Sequence, residues 1–561
     1  MAALRLTEKG YSVLVLEAGA RFADSDFAKT SWNLKRFLFF PRLGLLGIQR
    51  IDLLKNVMVM SGAGVGGGSL VYANTLYRPS KQFFETGSWV GVTNWQAQLE
   101  PYYRQAEAML GVVTNPFESP SDVAIRKVGE RFGFGHTYTP TPVGVYFGQG
   151  AGVAAADPFF GGAGPERSGC TNCGECMTGC RHNAKNTLVK NYLYLAERAG
   201  AQVAALTTVT DFERIDGGLE QPDFWRISTR ATARGGRTGT ITANQIVVAA
   251  GALGTAKLLQ KVRDAGHLSG ISEALGANTR TNSESLLGVV SNDKNLDFSV
   301  GSAITSSIYP APDTHIEPVR YGKGSNFMAG LQSIMASGRN PKRPPEQQGP
   351  NPLRLLGATL QNLFRLPKFY NLRHWSERTL ILLVMQSRDN SLTTYLKRTA
   401  LGGKKLTSRQ GHGEENPSWV PAGHLFAREL AKDIDGTPGA VTTEAFGIPM
   451  TAHFLGGATI SATAETGVVD GYLRVHGVPG LHIFDGSTLS ANPGVNPSLS
   501  ITAQAEWACA HWPNRGEEDL RPQLGEPFKL VAPVAPANPA VPATAAGRLR
   551  LPLWPSGGAA Q

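Results

Sequence analysis

The sequence predicts an α/β fold interleaved with a second domain built on an antiparallel sheet. Three observations support this prediction: a helix followed by a strand at the N-terminus, a glycine cluster at 62–69, and a buried strand that turns through Gly251 into a helix. The 561 residues exceed what a single hydrophobic core usually supports, which fits two domains or one large elaborated domain.

The N-terminal elements indicate part of a dinucleotide-binding unit. An amphipathic helix is predicted from Ala2 to Gly10, and a buried strand follows from Tyr11 to Gly19 and is closed by an acid. This order is that of the helix and second strand, so Glu17 is placed to hydrogen-bond a ribose hydroxyl. The alternative is that Glu17 is a solvated carboxylate at the strand end.

The strand that should come first in such a unit is missing, together with its Gly-x-Gly-x-x-Gly turn. That turn presents backbone N–H groups to a pyrophosphate, and the strand before it is normally central in the sheet. We therefore expect the native chain to begin about twenty residues further upstream, by the length of a βαβ unit. Any signal peptide would lie upstream as well, and none is visible in the sequence itself.

Three glycine-containing turns suggest close approach of the backbone to a flat ligand. Glycine lacks the side chain that would collide with such a ligand. The turns are the cluster 62–69, the start of the helix after strand 245–250, and the end of strand Leu481 to Phe484. The candidate contacts in these turns and nearby are Gly64, Gly66, Gly67, Gly68, Ser69, Asn74, Gly251, Asp485 and Gly486.

Two C-terminal turns place a histidine and an asparagine among small residues. These are Thr451-Ala-His453-Phe-Leu-Gly-Gly and Gly494-Val-Asn496-Pro. Together with the glycine cluster, they resemble the glucose-methanol-choline (GMC) family of flavin oxidoreductases over the chain from its first residues to about position 513. The resemblance implies an FAD-binding Rossmann-like domain, the cofactor contacts named above, and hydride transfer from an alcohol to FAD.

The resemblance assigns His453 and Asn496 to catalysis, and their chemistry suits that role. Histidine accepts or shares a hydroxyl proton near neutral pH, and an asparagine amide donates and accepts while it orients the hydroxyl. The alternative is a satisfied core histidine among Ala452, Phe454 and Leu455.

Within the family, the sequence is most similar to the cholesterol oxidases of actinobacteria. This implies oxidation of a 3-hydroxysterol to the ketone, a shift of the Δ5 double bond to Δ4, and reoxidation of the flavin by O2. Glu317 aligns with the carboxylate that moves the proton, and burial in an apolar pocket would raise its pKa. The alternative is a surface Glu317 paired with Arg320.

Two rival functions remain open from the sequence. One is a flavin dehydrogenase that acts on another alcohol and passes electrons to an outside acceptor through a cysteine loop. The other is a sterol-binding protein without catalysis, which would follow if the first strand is truly missing and FAD cannot bind. The sequence does not indicate the oligomeric state.

The segment boundaries follow the same patterns. Segments 1–80, 165–275 and 455–513 are predicted to form the FAD-binding domain. Segments 81–164 and 276–454 are predicted to form the substrate-binding cap, with strands at 303–308 and 379–385. The Pro- and Ala-rich stretch 514–561 is predicted to be an extended strap or a mobile tail.

Four of the five cysteines have the spacing of a ferredoxin cluster loop, Cys170-x-x-Cys173-x-x-Cys176-x-x-x-Cys180. An iron-sulfur or zinc site is possible at this spacing, and reduced thiols or disulfides are the alternatives. Arg181 stands where such loops usually have proline. Cys509 is expected to be an inert core thiol.

The formal net charge of +10 favours anionic surfaces. No nucleic-acid motif is present, so an anionic lipid surface is the better candidate, and solubility alone is the simpler explanation. Two basic amphipathic stretches, 32–51 and 353–366, suit peripheral membrane contact, although lids or core-facing helices are the alternatives. We expect a location in the cytoplasm or peripherally at the cell surface.

Overall fold

The computed structural model describes residues 1–218, 222–233, 235–337, 348–400 and 402–553. None of the helices in these ranges is long and apolar enough to cross a membrane. The α-helices are α1 (Ala2–Glu8), α2 (Leu34–Phe37), α3 (Lys81–Glu85), α4 (Trp95–Leu110), α5 (Pro120–Arg131), α6 (Tyr192–Arg198), α7 (Gly251–Asp264), α8 (Pro352–Gln361), α9 (Leu366–Phe369), α10 (Trp375–Arg378), α11 (Pro421–Asp433) and α12 (Ser498–Ala510).

The strands are short and belong to several sheets. They are β1 (Leu14–Leu16), β2 (Phe39–Phe40), β3 (Leu45–Leu46), β4 (Gln49–Leu53), β5 (Met58–Gly62), β6 (Val113–Thr114), β7 (Thr139–Pro140), β8 (Pro142–Val143), β9 (Ala154–Ala155), β10 (Arg167–Ser168), β11 (Gln202–Ala204), β12 (Thr207–Ile215), β13 (Phe224–Ala231), β14 (Thr238–Ala243), β15 (Ile246–Val248), β16 (Ser285–Ser291), β17 (Ser306–Ala311), β18 (Thr314–Val319), β19 (Gln332–Ile334), β20 (Thr379–Gln386), β21 (Leu392–Arg398), β22 (Lys404–Gln410), β23 (Gly436–Val441), β24 (Met450–Thr451) and β25 (Leu481–Ile483).

The strands of the predicted dinucleotide-binding unit form two separate parallel pairs, β1 with β11 and β15 with β25. The N-terminal helix and strand are confirmed in kind and order. The prediction of a buried strand over 11–19 is wrong in extent, because β1 covers only Leu14–Leu16 and Leu14 is 45% exposed. A strand that pairs on one side only has few partners with which to extend its ladder.

Helix α12 holds the C-terminal turns in place. It is buried on nearly all sides and packs against α4 and α1. A helix that is apolar all round is typical of a core position. Helix α4 is fixed at its N-terminus by the Asn94 side chain, which accepts a hydrogen bond from the Ala97 N–H, and it ends at Gly111 with φ of 58°. The turn that carries Asn496 therefore leads directly into the most buried helix of the chain.

A seven-stranded sheet in the order β19-β23-β16-β20-β18-β17-β7 confirms the predicted antiparallel sheet. Its alternate residues face opposite sides. Ile316, Leu382 and Val384 pack with apolar residues of α5 and α11, whereas Leu286, Val319, Leu383 and Met385 pack on the other face against Ala73 and Met177. The second face therefore looks toward the glycine cluster and the cysteine loop.

One of the two strands predicted for this sheet is misplaced. The predicted strand 379–385 is confirmed as β20. The strand predicted at 303–308 instead begins at Ser306, because the residues before it make only an isolated bridge between Ile304 and Val319. The domain boundaries themselves stay a prediction.

The Pro- and Ala-rich segment is an extended strap over residues 514–553, and the last eight residues of the predicted tail lie outside the described ranges. It has no helix or strand, yet Val531, Val541 and Ala545 are buried. Lys9 Nζ donates to the Val534 carbonyl over 2.7 Å, and the Asn538 N–H donates to the Glu8 carbonyl over 2.9 Å. The strap therefore joins the C-terminal segment to helix α1.

Candidate active site

The imidazole of His453 is held by a carboxylate from the antiparallel sheet. His453 follows β24, and its Nδ1 hydrogen-bonds Oε1 of Glu284, a fully buried residue just before β16. The second oxygen of Glu284 accepts the Ala452 N–H at 2.9 Å. A carboxylate at Nδ1 holds the proton on that nitrogen, which leaves the lone pair on Nε2.

The free nitrogen of His453 faces Asn496. The Asn496 Nδ2 lies 3.5 Å from His453 Nε2 and donates to Glu317 Oε2 at 3.3 Å. The predicted catalytic residues His453, Asn496 and Glu317 therefore form one hydrogen-bonded row that starts at Glu284. Both ring nitrogens of His453 have polar partners in this row, and the catalytic role of the histidine stays a prediction.

Glu317 is a buried acid, and the alternative of a surface pair with Arg320 is wrong. It is 0% exposed on strand β18, and its Oε1 has no hydrogen-bond partner among the described residues. The Arg320 guanidinium instead donates to the Ser302 carbonyl and to two hydroxyls. Side chains alternate between the two faces along a strand, so residues an odd number of positions apart point to opposite faces. Glu317 lies on β18 and Arg320 follows directly after its end, three positions later, so the two side chains point in opposite directions.

The pKa of Glu317 is raised to about 8, mainly by burial and to a smaller extent by the Glu284 carboxylate, while the hydrogen bond from Asn496 opposes this rise. Buried acids favour their neutral form because water no longer stabilises the charge. Near neutral pH, this carboxyl therefore exists in both protonation states and can take up and release a proton.

Sequence reasoning missed two residues of this site, Glu284 and His315. His315 is two residues before Glu317 and so lies on the same face of β18. Its ring stacks on Tyr309 at 4.4 Å and meets Tyr77 edge-on at 5.1 Å. Burial, with a smaller contribution from His453, lowers the pKa of His315 to about 3, so the ring is neutral. Both of its ring nitrogens lack a partner among the described residues.

The glycine cluster contains two kinds of glycine. Gly64 and Gly66 have φ of 119° and 115°, and a Cβ on either would press against Leu70. A Cβ on Gly67 or Gly68 would meet no atom within 4 Å. The backbone at Gly67 and Gly68 therefore borders open space, as a flat cofactor requires, whereas Gly64 and Gly66 shape the turn.

Ser69 and Glu17 hold this turn rather than leaving their side chains free. The Ser69 hydroxyl donates to the Gly66 carbonyl at 2.7 Å and accepts the Leu188 N–H at 3.0 Å. Glu17 Oε1 accepts the N–H groups of Gly19 and Gly64 at 2.6 and 3.1 Å. Glu17 is half-buried, and burial raises its pKa. Its cofactor contact stays a prediction, with Oε2 as the oxygen outside these bonds.

The other predicted cofactor residues surround the same region. Gly251 begins α7 with φ of 70°, and open space lies where its Cβ would be. The buried Asp485 carboxylate accepts the Ser487 N–H at 2.8 Å, and burial raises its pKa. Asn74 is fully buried with φ of 69°, and its amide has no partner among the described residues except the nearby Cys176 thiol. An orphaned amide and uncovered glycine backbone fit a polar, flat ligand.

The four cysteines of the predicted cluster loop are free thiols in a common pocket. This excludes the disulfide alternative for the described structure. Cys509 is 0% exposed in α12, as expected of a core thiol.

The two stretches predicted for lipid contact, 32–51 and 353–366, expose apolar side chains. In α8 and just after it, Leu353, Leu356, Leu360, Leu363 and Phe364 are 53–97% exposed, so these side chains do not face the core. The helix ends at Gln361, and Leu363 lies beyond it. In the first stretch, Phe40 and Leu43 are exposed, but Phe37 and Ile48 are buried.

Comparisons with known proteins agree with this geometry. Models of the GMC oxidoreductase family match residues 14–157 and 164–281 at the N-terminal side and 426–505 at the C-terminal side. A cholesterol oxidase of Mycobacterium tuberculosis (strain ATCC 25618 / H37Rv) is 54% identical, covering 99% of this chain and 96% of that protein. A cholesterol oxidase of Acinetobacter baumannii is 41% identical, covering 91% of this chain and 92% of that protein.

Solved structures with the same fold are more distant in sequence. Pyridoxine 4-oxidase from Mesorbium loti has a TM-score of 0.56 at 15% identity, covering 91% of this chain and 96% of that one. A fungal aryl-alcohol oxidase has a TM-score of 0.51 at 15% identity, with the same coverage of both chains. At this identity the likeness concerns the fold alone.

Proposed function

This chain belongs to the GMC oxidoreductase family, and from that membership we propose that it is an FAD-dependent oxidase of 3-hydroxysterols such as cholesterol. The observation that carries the proposal is the row Glu284, His453, Asn496 and Glu317. Such a row combines a proton acceptor for a hydroxyl with a second, separate proton carrier. The near full-length similarity to two cholesterol oxidases supports the choice of substrate.

The residues that would hold FAD lie on three turns. The open backbone of Gly67, Gly68 and Gly251 would lie against it, Glu17 would reach its ribose through Oε2, and the Asn74 amide would gain a partner. Asp485 with Gly486 closes the same region. Bound FAD supplies the acceptor for the hydride from the carbinol carbon.

The oxidation needs a place for the hydroxyl proton. His453 Nε2 carries the available lone pair because Glu284 occupies Nδ1, so it accepts the proton of the substrate hydroxyl. Asn496 Nδ2 lies 3.5 Å from His453 Nε2, so its amide N–H orients the hydroxyl by donating to the hydroxyl oxygen. The Glu284 carboxylate stabilises the imidazolium that results.

The isomerisation needs a base that later becomes an acid. Glu317 as a carboxylate takes a proton from C4 of the 5-en-3-one and then returns it to C6, so the base is regenerated and the product is the 4-en-3-one. Its partnerless Oε1 is the proposed acceptor. A pKa of about 8 suits both uptake and release at working pH.

A direct experiment is to supply the FAD-loaded protein with cholesterol in air. We expect equal amounts of hydrogen peroxide and cholest-4-en-3-one, with O2 as the electron acceptor. A second candidate is a dehydrogenase with another acceptor, which the cysteine loop favours. Ketone formation with an artificial acceptor but without peroxide would select that candidate, and no ketone under either condition would refute both.

We also propose peripheral contact with an anionic lipid surface through α8. Helix α8 carries Arg354 in addition to the exposed leucines, and the chain has a net charge of +10. Binding to vesicles that contain anionic lipid should fall in a Leu353→Ser, Leu356→Ser, Leu360→Ser variant. Leu425→Ser, which removes an exposed leucine from α11, is the control and should not change binding. Equal binding by all three proteins would refute the contact.

A further inference from the structure

The loop 170–180 gathers four thiols around one small pocket beside the glycine cluster. Cys170, Cys173, Cys176 and Cys180 all line it, together with Lys185 and Gly301. Asn172 and Gly174 have φ of 55° and 70°, so the chain winds tightly between the cysteines. Loops of this kind bring several side chains to one centre within a few residues.

A backbone N–H group points at one of the sulfurs. The Asn172 N–H donates to Cys170 Sγ at 3.4 Å. Hydrogen bonds of this kind stabilise sulfur that carries negative charge, as in a metal-bound thiolate.

A buried lysine lines the same pocket as these thiols. Lys185 is 2% exposed, and its Nζ donates to the carbonyls of Leu70, Tyr72 and Cys176 at 2.8–3.0 Å. It makes no salt bridge with a described carboxylate. An unpaired buried charge is costly, and neutral thiols do not offset that cost.

A second buried cation precedes the loop. Arg167 is 1% exposed and donates to the carbonyls of Asn183 and Lys185. Neither Arg167 nor Lys185 makes a salt bridge with a described carboxylate, so a group of net negative charge in the pocket would offset their buried charge. Thiolates bound to a metal centre supply that charge, because coordination deprotonates the thiol.

The spacing of the sulfurs selects the kind of centre. In a tetrahedral zinc site with Zn–S of about 2.3 Å, the sulfurs are about 3.8 Å apart. Among the described residues, no three of the four sulfurs lie within 4.8 Å of one another. The one group of three possible ligand atoms that lie this close belongs to Cys173, Glu175 and His182. The sulfurs are therefore not grouped as the ligands of one tetrahedral ion are.

We propose that Cys170, Cys173, Cys176 and Cys180 ligate an iron-sulfur cluster next to the flavin-binding glycine turn. The Cys-x-x-Cys-x-x-Cys-x-x-x-Cys spacing is that of a bacterial ferredoxin loop, in which three cysteines bind one cluster and the fourth binds another. Here Cys180 lines the same pocket as the other three, so all four thiols are available to one cluster. Lys185 joins this loop to the glycine turn through its bonds to Cys176, Leu70 and Tyr72. The inference is independent of which alcohol the main site oxidises.

The test is metal and sulfide analysis of the full chain, purified and reconstituted with iron and sulfide without air. We expect about four iron and four acid-labile sulfide per chain, and an electron paramagnetic resonance signal after reduction by dithionite. One zinc per chain, or no bound iron after reconstitution, would overturn the proposal. This result does not depend on any variant being stable.

Variants locate the centre. Cys170→Ser and Cys176→Ser should lose the iron and the resonance signal, and thermal unfolding checks that each protein is folded. Cys509→Ser removes the one cysteine outside the loop, and His182→Ala removes the exposed member of the Cys173, Glu175 and His182 set. Both should keep the cluster. Loss of metal in His182→Ala with retention in Cys176→Ser would instead assign a single-ion site and overturn the proposal.

Discussion

At the scale of single residues, Glu284 decides which nitrogen of His453 can act. Its carboxylate occupies Nδ1 and leaves Nε2 toward Asn496. The three residues 453, 496 and 317 were predicted from local motifs and a family resemblance. Glu284 was not, because it lies 169 residues from His453 and nothing in Thr281-Asn-Ser-Glu284-Ser distinguishes it from a solvated acid.

Replacing the carboxylate tests this role. Glu284→Gln should slow flavin reduction by the sterol on the order of 10²- to 10⁴-fold, as loss of the orienting carboxylate does in other His–carboxylate pairs. Bound FAD should remain, because Glu284 lies on the cap sheet rather than on the glycine turns. Stopped-flow absorbance of the flavin measures the rate.

The matched control is Glu444→Gln. Glu444 is also a buried acid that contacts a buried histidine, with 2.7 Å between its Oε1 and His424 Nε2. His424 lies on α11 and Glu444 lies on the turn after β23, so both are outside the catalytic row. Flavin reduction should be normal in this variant. If both variants reduce flavin at the same rate, Glu284 does not position His453.

The pH dependence of isomerisation follows from Glu317. The base must be ionised to take the proton from C4, and its pKa in the free protein is raised to about 8. With 5-en-3-one as substrate, kcat/KM should therefore fall as pH drops below about 8, close to tenfold for each pH unit, and level off above it. The measurement is the absorbance of the conjugated ketone product between pH 6 and 10.

Glu317→Gln complements the pH profile. This variant should oxidise the alcohol and release the 5-en-3-one, because His453 and Asn496 are intact. A profile without an inflection near pH 8, or normal 4-en-3-one formation by the variant, would remove Glu317 as the proton carrier.

At the scale of elements, the glycine turn shows what a sequence pattern does and does not reveal. The cluster predicted close backbone approach to a ligand, and the turn has that form. The pattern did not separate Gly64 and Gly66, which press on Leu70, from Gly67 and Gly68, which border open space. That distinction depends on the path of the chain after the turn.

Gly68→Leu tests the open side of this turn. Its φ is not in the left-handed region and its Cβ would meet no atom within 4 Å, so the fold should tolerate a side chain. The side chain would occupy the space assigned to FAD, so affinity for FAD should fall at least tenfold while the melting temperature of the apoprotein changes little.

Gly330→Leu is the control, because its Cβ also meets no atom within 4 Å and it lies on another turn. It should bind FAD normally. Fluorescence quenching of free FAD gives both affinities. Unchanged FAD affinity in Gly68→Leu would place the cofactor elsewhere.

Strand positions were predictable where one face is apolar and continuous, as in β20. Strand bounds were not predictable where pairing with a neighbouring strand determines the first residue. Strand β17, for example, begins three residues later than expected, at Ser306 rather than Ala303. The short β1 is a second case, since its sequence is strand-like but it pairs only with β11. The order of the strands also determines the distance between the two acids of the site. Strand β20 lies between β16, which follows Glu284, and β18, which carries Glu317. The sequence does not reveal this order.

At the scale of the whole molecule, the strap closes the chain onto its first helix. The sequence left open whether this segment is a strap or a tail, because proline-rich composition excludes regular hydrogen bonding but not docking. Burial of Val531 and Val541 contributes about 1.5–3 kcal/mol each. The bonds to Glu8 and Lys9 add to this.

A chain that stops after Pro513 should therefore be less stable. We expect its melting temperature to fall by about 5 °C or more, since the cost is several kcal/mol. Lys9→Met, which removes only the bonds to the Trp512 and Val534 carbonyls, should lower it by less. An unchanged melting temperature in the truncated chain would mean that the docked strap contributes no stability. Differential scanning calorimetry measures all three proteins.

The proposed site transfers the carbinol hydrogen of a sterol to bound FAD, with His453 as the proton acceptor. The most direct measurement is to mix FAD-loaded protein with cholesterol without air and follow the flavin absorbance near 450 nm. We expect rapid bleaching by the native protein and bleaching slowed at least about 10²-fold in His453→Ala, the size of a lost general base. Flavin that stays oxidised in the native protein, or bleaches equally fast in both, would contradict it.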